Sequence, residues 1–321
     1  MSKVFVTRRI PEIGIKMLRD KGYEVDVSDF DGILPREKVL EKVKGVDAIL
    51  SLLTDKINGE VMDAAGPQLK IIANYAVGYD NFDLAAGKQR NIFMTNTPDV
   101  LTESVAEHTI ALIFAISRRI VESDQFMRDG KFAGWGPMMF LGNDLTGKTL
   151  GLVGLGRIGE AVAKRMYNGF DMKILYYDVK RKEEAEKKYN LKYVDLETLL
   201  KESDFVSIHA PLLETTRHLI GEPQLKIMKK TVYLINTSRG PIVDENALVA
   251  ALKRGEIKGA ALDVYEAEPK MAPGLSELSN TVLTPHTASA TEETRNAMSE
   301  LAAKNIIAVL SGQPAVTPIK F

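Results

Sequence analysis

The segment GLGRIG sets Gly154, Gly156 and Gly159 in the spacing G-x-G-x-x-G, between the apolar run TLGLV and the helical pattern EAVAKRM. Glycines at those places let the backbone turn tightly and approach a pyrophosphate at the positive end of the helix. The next apolar run ends in YYD. That puts Asp178 about 20 residues beyond the last glycine, where a carboxylate meets the ribose hydroxyls of a dinucleotide. Capping the helical stretch VKRKEEAEKKY is the plainer use for Asp178. Arg239 closes LINTSRG, Glu268 lies in LDVYEAEP and His286 in VLTPHTAS, each soon after an apolar run. Ligands of open α/β sheets bind outside the carboxyl ends of the strands. A cation, a carboxylate and an imidazole therefore gather at the edge that carries the glycine turn. Singly, Arg239 reads as a salt-bridge partner, Glu268 as a solvated loop carboxylate and His286 as a structural histidine. The functional reading rests on the three together.

The elements that must hold these residues alternate along the chain. After residue 149 the runs TLGLVGLG, KILYYD, FVSIHA, TVYLINTS, GAALDVY and TVLTPH are separated by helical stretches. Before it, KVFVT, EVDVS, DAILSLL, LKIIANY and NIFMTNTP follow the same rule. Between them lie PEIGIKMLRDK, with Ile13, Met17 and Leu18 on one face, PREKVLEKVKG, bounded by Pro35 and Gly45, and NGEVMDAAG. Short apolar runs spaced by helices indicate parallel sheets covered on both faces. The fold class is α/β, with two doubly wound, Rossmann-like domains. One long helical pattern runs from Thr102 to Arg128, apolar around much of its circumference. The glycine-rich stretch after it carries Trp135, Met138, Met139 and Phe140. That is a large apolar load, fit either to plug a local core or to reach a neighbouring subunit or the substrate pocket. A last helix, from Thr291 to about Leu310, can pack back on the first unit. The nucleotide domain, 99–289 with an arm at about 102–148, is thus inserted in a domain made of 1–98 and 290–321.

Composition narrows the function classes. An apolar fraction of 45% and a charged fraction of 26% belong to a globular protein with a sizeable core. A formal net charge of -1 gives no global attraction for nucleic acid or an anionic membrane. Without cysteine there is no disulfide or thiolate metal site, and no metal is expected. The opening MSKVFVTRRI lacks the apolar stretch of a signal peptide, so a cytoplasmic protein is expected.

GLGRIG, NTSRGPIVDENAL, GAALDVYEAEP and LTPHTASAT resemble the signature segments of the D-isomer-specific 2-hydroxyacid dehydrogenases. NYAVGYDN, TNTPDVLTESVAEH and GWGPMMFLG are similar to the glyoxylate/hydroxypyruvate reductase branch. The resemblance spans essentially the whole chain. It implies two Rossmann-like domains with the active site between them, a homodimer, a nicotinamide cofactor and a small 2-oxo acid substrate. It assigns the catalytic arginine to Arg239, the carboxylate to Glu268 and the acid/base to His286. The substrate carboxylate goes to the amides of Val77 and Gly78, with Leu53 as a wall and Arg239 and His286 as further contacts. Cofactor contacts implied are Thr102, the glycine turn with Arg157 and Ile158, and Asp178 with Val179 and Lys180. His209, Ala210, Pro211 and Thr216 follow on the adenine side. Thr237, Ser238, Arg239, Asp263, His286 and Ala288 complete the set.

The chemistry agrees with that assignment. Reduction of a 2-oxo acid needs a cation to hold the carboxylate and polarise the ketone, and a proton donor at the carbonyl oxygen. Ala288 departs from the glycine that many members carry there. Asp178 favours NADH, while Lys180 and Arg181 leave room for some use of NADPH. Other activities of the superfamily, on D-lactate or 3-phosphoglycerate, are the alternatives. From another class, a non-enzymatic NAD-sensing protein of the same fold would keep the same residues.

Overall fold

A computed structural model describes residues 1–320, which divide into two compact units, Met1–Leu101 with the chain from Ala290 onward, and Thr102–Ser289. The first unit begins β1 (Lys3–Val6), α1 (Glu12–Asp20), β2 (Glu24–Val27), α2 (Arg36–Lys42) and β3 (Ala48–Leu52). It continues through α3 (Gly59–Ala65), β4 (Ile71–Tyr75), α4 (Leu84–Gln89) and β5 (Phe93–Thr95). Among the described residues these strands form one parallel sheet in the order β2-β1-β3-β4-β5. Every residue of β4 is buried, and β3 is buried up to its last residue. Strands covered on both faces read as unbroken apolar runs rather than as alternation.

The second unit opens with α5 (Thr102–Ser117) and α6 (Ile120–Arg128), then β6 (Thr149–Val153), α7 (Arg157–Phe170) and β7 (Lys173–Tyr177). Next come α8 (Glu183–Tyr189), β8 (Lys192–Tyr193), α9 (Leu196–Glu202), β9 (Phe205–Ile208), α10 (Glu222–Ile227) and β10 (Tyr233–Asn236). It ends with α11 (Glu245–Arg254), β11 (Gly259–Leu262) and β12 (Thr281–Leu283). The sheet order is β12-β11-β10-β9-β6-β7-β8, all parallel. Winding reverses between β6 and β9, and that switch point is where such sheets leave a crevice for a ligand.

The last helix, α12 (Glu292–Leu310), is capped by the Thr291 hydroxyl and packs on α1 and β4 of the first unit. Gly14 makes the α1 contact possible, because a Cβ there would stand 2.3 Å from the Ser299 carbonyl oxygen. The Ser299 hydroxyl donates to the Pro11 carbonyl and accepts from the Gly14 amide. This contact turns the buried face of α1 to Gly14, Ile15 and Leu18 and leaves Ile13 40% exposed. The expected stripe of Ile13, Met17 and Leu18 is therefore off by about one residue.

The expected single helix from Thr102 to Arg128 is two. Arg119, at φ 54°, breaks it. The cause lies in the returning chain: the Asn143 amide donates to the Ser117 carbonyl at 2.9 Å, and Gly142 lies so close that a Cβ would be 2.3 Å from that oxygen.

Candidate active site

The glycine turn joins β6 to α7. Gly154 has φ 98°, and a Cβ there would fall 2.7 Å from the Ala210 nitrogen, so the turn is pressed against the end of β9. At Gly159 a Cβ would meet the Gly154 oxygen at 2.5 Å, which lets α7 start close beneath the turn. Around Gly156 nothing stands within 4 Å of such an atom. Two glycines thus serve the chain's own packing, and the third leaves open space at the positive end of a 14-residue helix. These residues fit a dinucleotide pyrophosphate.

Asp178 follows β7 and is fixed rather than loose. Its carboxylate accepts from the amide of Leu155, inside the glycine turn, at 2.8 Å and from that of Lys180 at 3.1 Å. The helix after it starts at Glu183 with Lys182 at the cap, so Asp178 does not cap it. Val179 is 89% exposed and Lys180 is exposed. Arg181 is occupied: it holds Glu186 through two nitrogens at 2.9 and 2.8 Å, and Arg181 with the Tyr176 hydroxyl pulls that carboxyl down to about 2.

On the other side of the switch point, His209 follows β9, with its Nε2 2.9 Å from the Ser207 hydroxyl. The protein packed around the ring pushes its pKa down to about 4, so it is neutral at physiological pH. The Ala210 carbonyl accepts from the Ser238 hydroxyl, and that of Pro211 from the Thr216 hydroxyl. Thr237 is buried against the hydroxyl of Thr109. Thr102 opens α5, while Arg157 and Ile158 open α7, with Arg157 exposed.

Arg239, Glu268 and His286 leave the carboxyl ends of the adjacent strands β10, β11 and β12. The exits of β10 and β11 meet at Gly240, where a Cβ would overlap the Tyr265 carbonyl carbon at 1.9 Å. Glu268 accepts from the Tyr265 amide at 3.0 Å with one oxygen and faces His286 Nδ1 at 2.9 Å with the other. Burial opposes its ionisation. The hydrogen bond and charge of His286, the Tyr265 amide and the nearby Arg239 outweigh burial, and its pKa lies below the ordinary carboxylate value.

His286 has φ 56°, a left-handed conformation that costs a side-chain-bearing residue about 1–2 kcal/mol. Asp263 holds it there. The Asp263 carbonyl accepts from the His286 amide at 2.9 Å. Its carboxylate accepts from the Thr284 hydroxyl at 2.6 Å and from the amides of Thr287 and Ala288, both at 2.8 Å. Expected among the cofactor contacts, Asp263 has no exposed surface and engages the loop that carries His286 and the buried Ala288.

Glu245 was not anticipated. Buried at the start of α11, it accepts from the amides of Glu266 and Ala272 at 2.9 and 2.8 Å and so brackets the segment bearing Glu268. In sequence it reads only as an acid suited to a helix start. Leu53, Val77 and Gly78 belong to the other unit, half-buried, after the neighbouring strands β3 and β4. Among the described residues no cluster of His, Asp or Glu suits a metal, and no helix is long and apolar enough to cross a membrane.

Comparison with known proteins agrees with this geometry. Residues 110–288 match the D-isomer specific 2-hydroxyacid dehydrogenase, NAD binding domain. A glyoxylate reductase from Thermococcus litoralis is 55% identical over 97% of this chain and 94% of that protein. The TT0316 protein from Thermus thermophilus superposes with a TM-score of 0.92 at 43% identity, over 99% of this chain and 100% of that one. An NADPH-dependent glyoxylate/hydroxypyruvate reductase from Sinorhizobium meliloti, in complex with NADP and malonate, gives 0.87 at 34% identity, over 99% and 96%. The chain belongs to the D-isomer specific 2-hydroxyacid dehydrogenases.

Proposed function

We propose that this protein reduces glyoxylate, and with it hydroxypyruvate, to the 2-hydroxy acid, with NADH preferred and NADPH tolerated. The observation that carries the reading is the 2.9 Å pair of Glu268 and His286 beside Arg239, on the strand edge that holds the glycine turn. The reduced nicotinamide, when bound, supplies the hydride. Arg239 offers a fork of donors to the substrate carboxylate and the ketone oxygen, polarising the carbonyl as negative charge grows on it. His286, protonated, gives its proton to that oxygen. Glu268 accepts at Nδ1, fixes the ring and stabilises the imidazolium, which leaves Nε2 for the substrate. The amides of Val77 and Gly78 receive the carboxylate beside Leu53, so the first unit serves as the substrate domain and the second as the nucleotide domain.

Asp178 supports NADH. Its fixed carboxylate accepts from ribose hydroxyls and repels a 2'-phosphate, while Arg181 is already engaged by Glu186. A homodimer is supported by the arm after α6: Trp135 is 84% and Met138 76% exposed, an apolar load that a monomer would leave in water. Phe140 differs, since its ring packs on Phe126 at 5.2 Å and under Arg119.

Steady-state assay of glyoxylate, hydroxypyruvate, pyruvate and 3-phosphohydroxypyruvate with both cofactors tests the reading. Glyoxylate turnover of about 1 per second or faster with NADH is expected. Cofactor binding without turnover of any of them overturns it in favour of a sensing protein.

A further inference from the structure

In the loop after β4 three successive carbonyls are taken. That of Ala76 accepts from the Thr97 amide at 2.8 Å, that of Val77 from Nδ2 of Asn96 at 2.7 Å and that of Gly78 from Nδ2 of Asn74 at 2.9 Å. In a trans peptide the C=O and N–H of one plane point opposite ways. Gripping the Ala76 carbonyl therefore aims the Val77 N–H away from the grip. Gripping the Val77 carbonyl does the same for the Gly78 N–H. Among the described residues neither amide donates a hydrogen bond. Two adjacent, half-exposed donors turned outward are what an anion needs.

Asn96 is itself anchored. Its carbonyl accepts from the Thr317 hydroxyl at 2.6 Å, and Asn305 of α12 holds Thr317 through both its hydroxyl and its amide, at 2.8 and 2.9 Å. With its backbone tied down in this way, Asn96 directs its side-chain amide at the Val77 carbonyl.

We propose that Asn96 is a positioning residue for substrate binding: its hold on the Val77 carbonyl keeps the Gly78 amide aimed as a donor to the carboxylate of a 2-oxo acid. The Thr97 amide sets the Val77 donor beside it. The proposal rests on the reading of Val77 and Gly78 as the carboxylate receiver. A merely structural Asn96 would affect melting alone. A positioning Asn96 affects how tightly a carboxylate binds and leaves NADH binding untouched.

The test uses the full chain with Asn96→Asp, which keeps the shape and removes the donor, with Asn96→Ser as a second variant, and with Gly78→Pro, which deletes the aimed donor itself. Oxalate affinity is measured in the presence of cofactor, together with KM and kcat for glyoxylate, NADH Kd and Tm. Losing one well-placed hydrogen bond raises oxalate Kd and glyoxylate KM about tenfold, with kcat within about threefold and NADH Kd unchanged. If Gly78→Pro weakens oxalate while both Asn96 variants bind it normally, the amide reading stands and the role of Asn96 is overturned. If Gly78→Pro leaves oxalate binding unchanged, the receiver reading fails and the proposal with it.

Discussion

At the scale of single residues, the assigned roles separate in kinetics. His286→Ala removes the proton donor and should lower kcat about 10²–10⁴-fold, with NADH Kd nearly unchanged. Arg239→Ala should lower kcat and raise KM together, because the guanidinium holds both ground and transition states. Near-normal kcat in the His286 variant would take that residue out of the mechanism. Asp178→Ser should lower kcat/KM for NADH and raise it for NADPH. The gain should stay modest, because Arg181, the second basic residue after Val179, is held by Glu186. Adding Glu186→Gln releases Arg181 and should raise the NADPH value further; a double variant no better than Asp178→Ser would show that Arg181 does not reach the phosphate. The positions of Arg239, Glu268 and His286 beyond strands were legible, because each follows a buried apolar run. The pairing of Glu268 with His286 followed only from the family resemblance, since the 2.9 Å contact depends on how two loops fold back.

At the scale of elements, the Asp263 loop gives a prediction in pH. Burial disfavours the Asp263 carboxylate, but His108 of α5, whose Nε2 lies 3.5 Å away, the Thr284 hydroxyl and the amides of Thr287 and Ala288 outweigh burial and lower its pKa below the ordinary value. A depressed folded-state pKa stabilises the protein above the unfolded value, and that stability is lost as pH falls through the folded one. Asp263→Asn should therefore cost about 2 kcal/mol at pH 7 and progressively less below pH 4, read from denaturant midpoints. An equal cost at every pH would mean that the charge contributes nothing. Support of this kind is hard to see in a sequence. Asp263 and Glu245 look like ordinary polar residues at a strand end and a helix start until the loops they bind are placed. The break at Arg119 was hidden for the same reason: its cause, the Gly142–Asn143 contact, lies more than twenty residues downstream.

At the scale of the whole molecule, the alternation of strands and helices was plain, because parallel strands buried on both faces leave an apolar signal that needs no partner to interpret. Assembly is less legible, since an apolar loop reads alike whether it plugs a core or meets another chain. The structure divides the two cases within one segment: Phe140 packs locally, while Trp135 and Met138 face outward. A homodimer should appear in light scattering, and Trp135→Ser with Met138→Ser should shift it toward monomer and lower activity. A wild-type monomer that is fully active at assay concentration would contradict this.

The first unit is discontinuous, and this has a consequence for synthesis. Its five strands leave the ribosome early, but α12 follows only after residues 102–289 have been made, roughly 10–40 s later at about 5–20 residues per second. Until then the face of α1 around Gly14 and the β4 surface beneath α12 lie bare, and Asn96 lacks its anchor at Thr317. The inserted unit has all its strands in hand first and can fold as a nascent domain while its predecessor waits. A released chain ending at residue 289 should therefore protect residues 102–289 from protease and leave the first hundred open to cleavage.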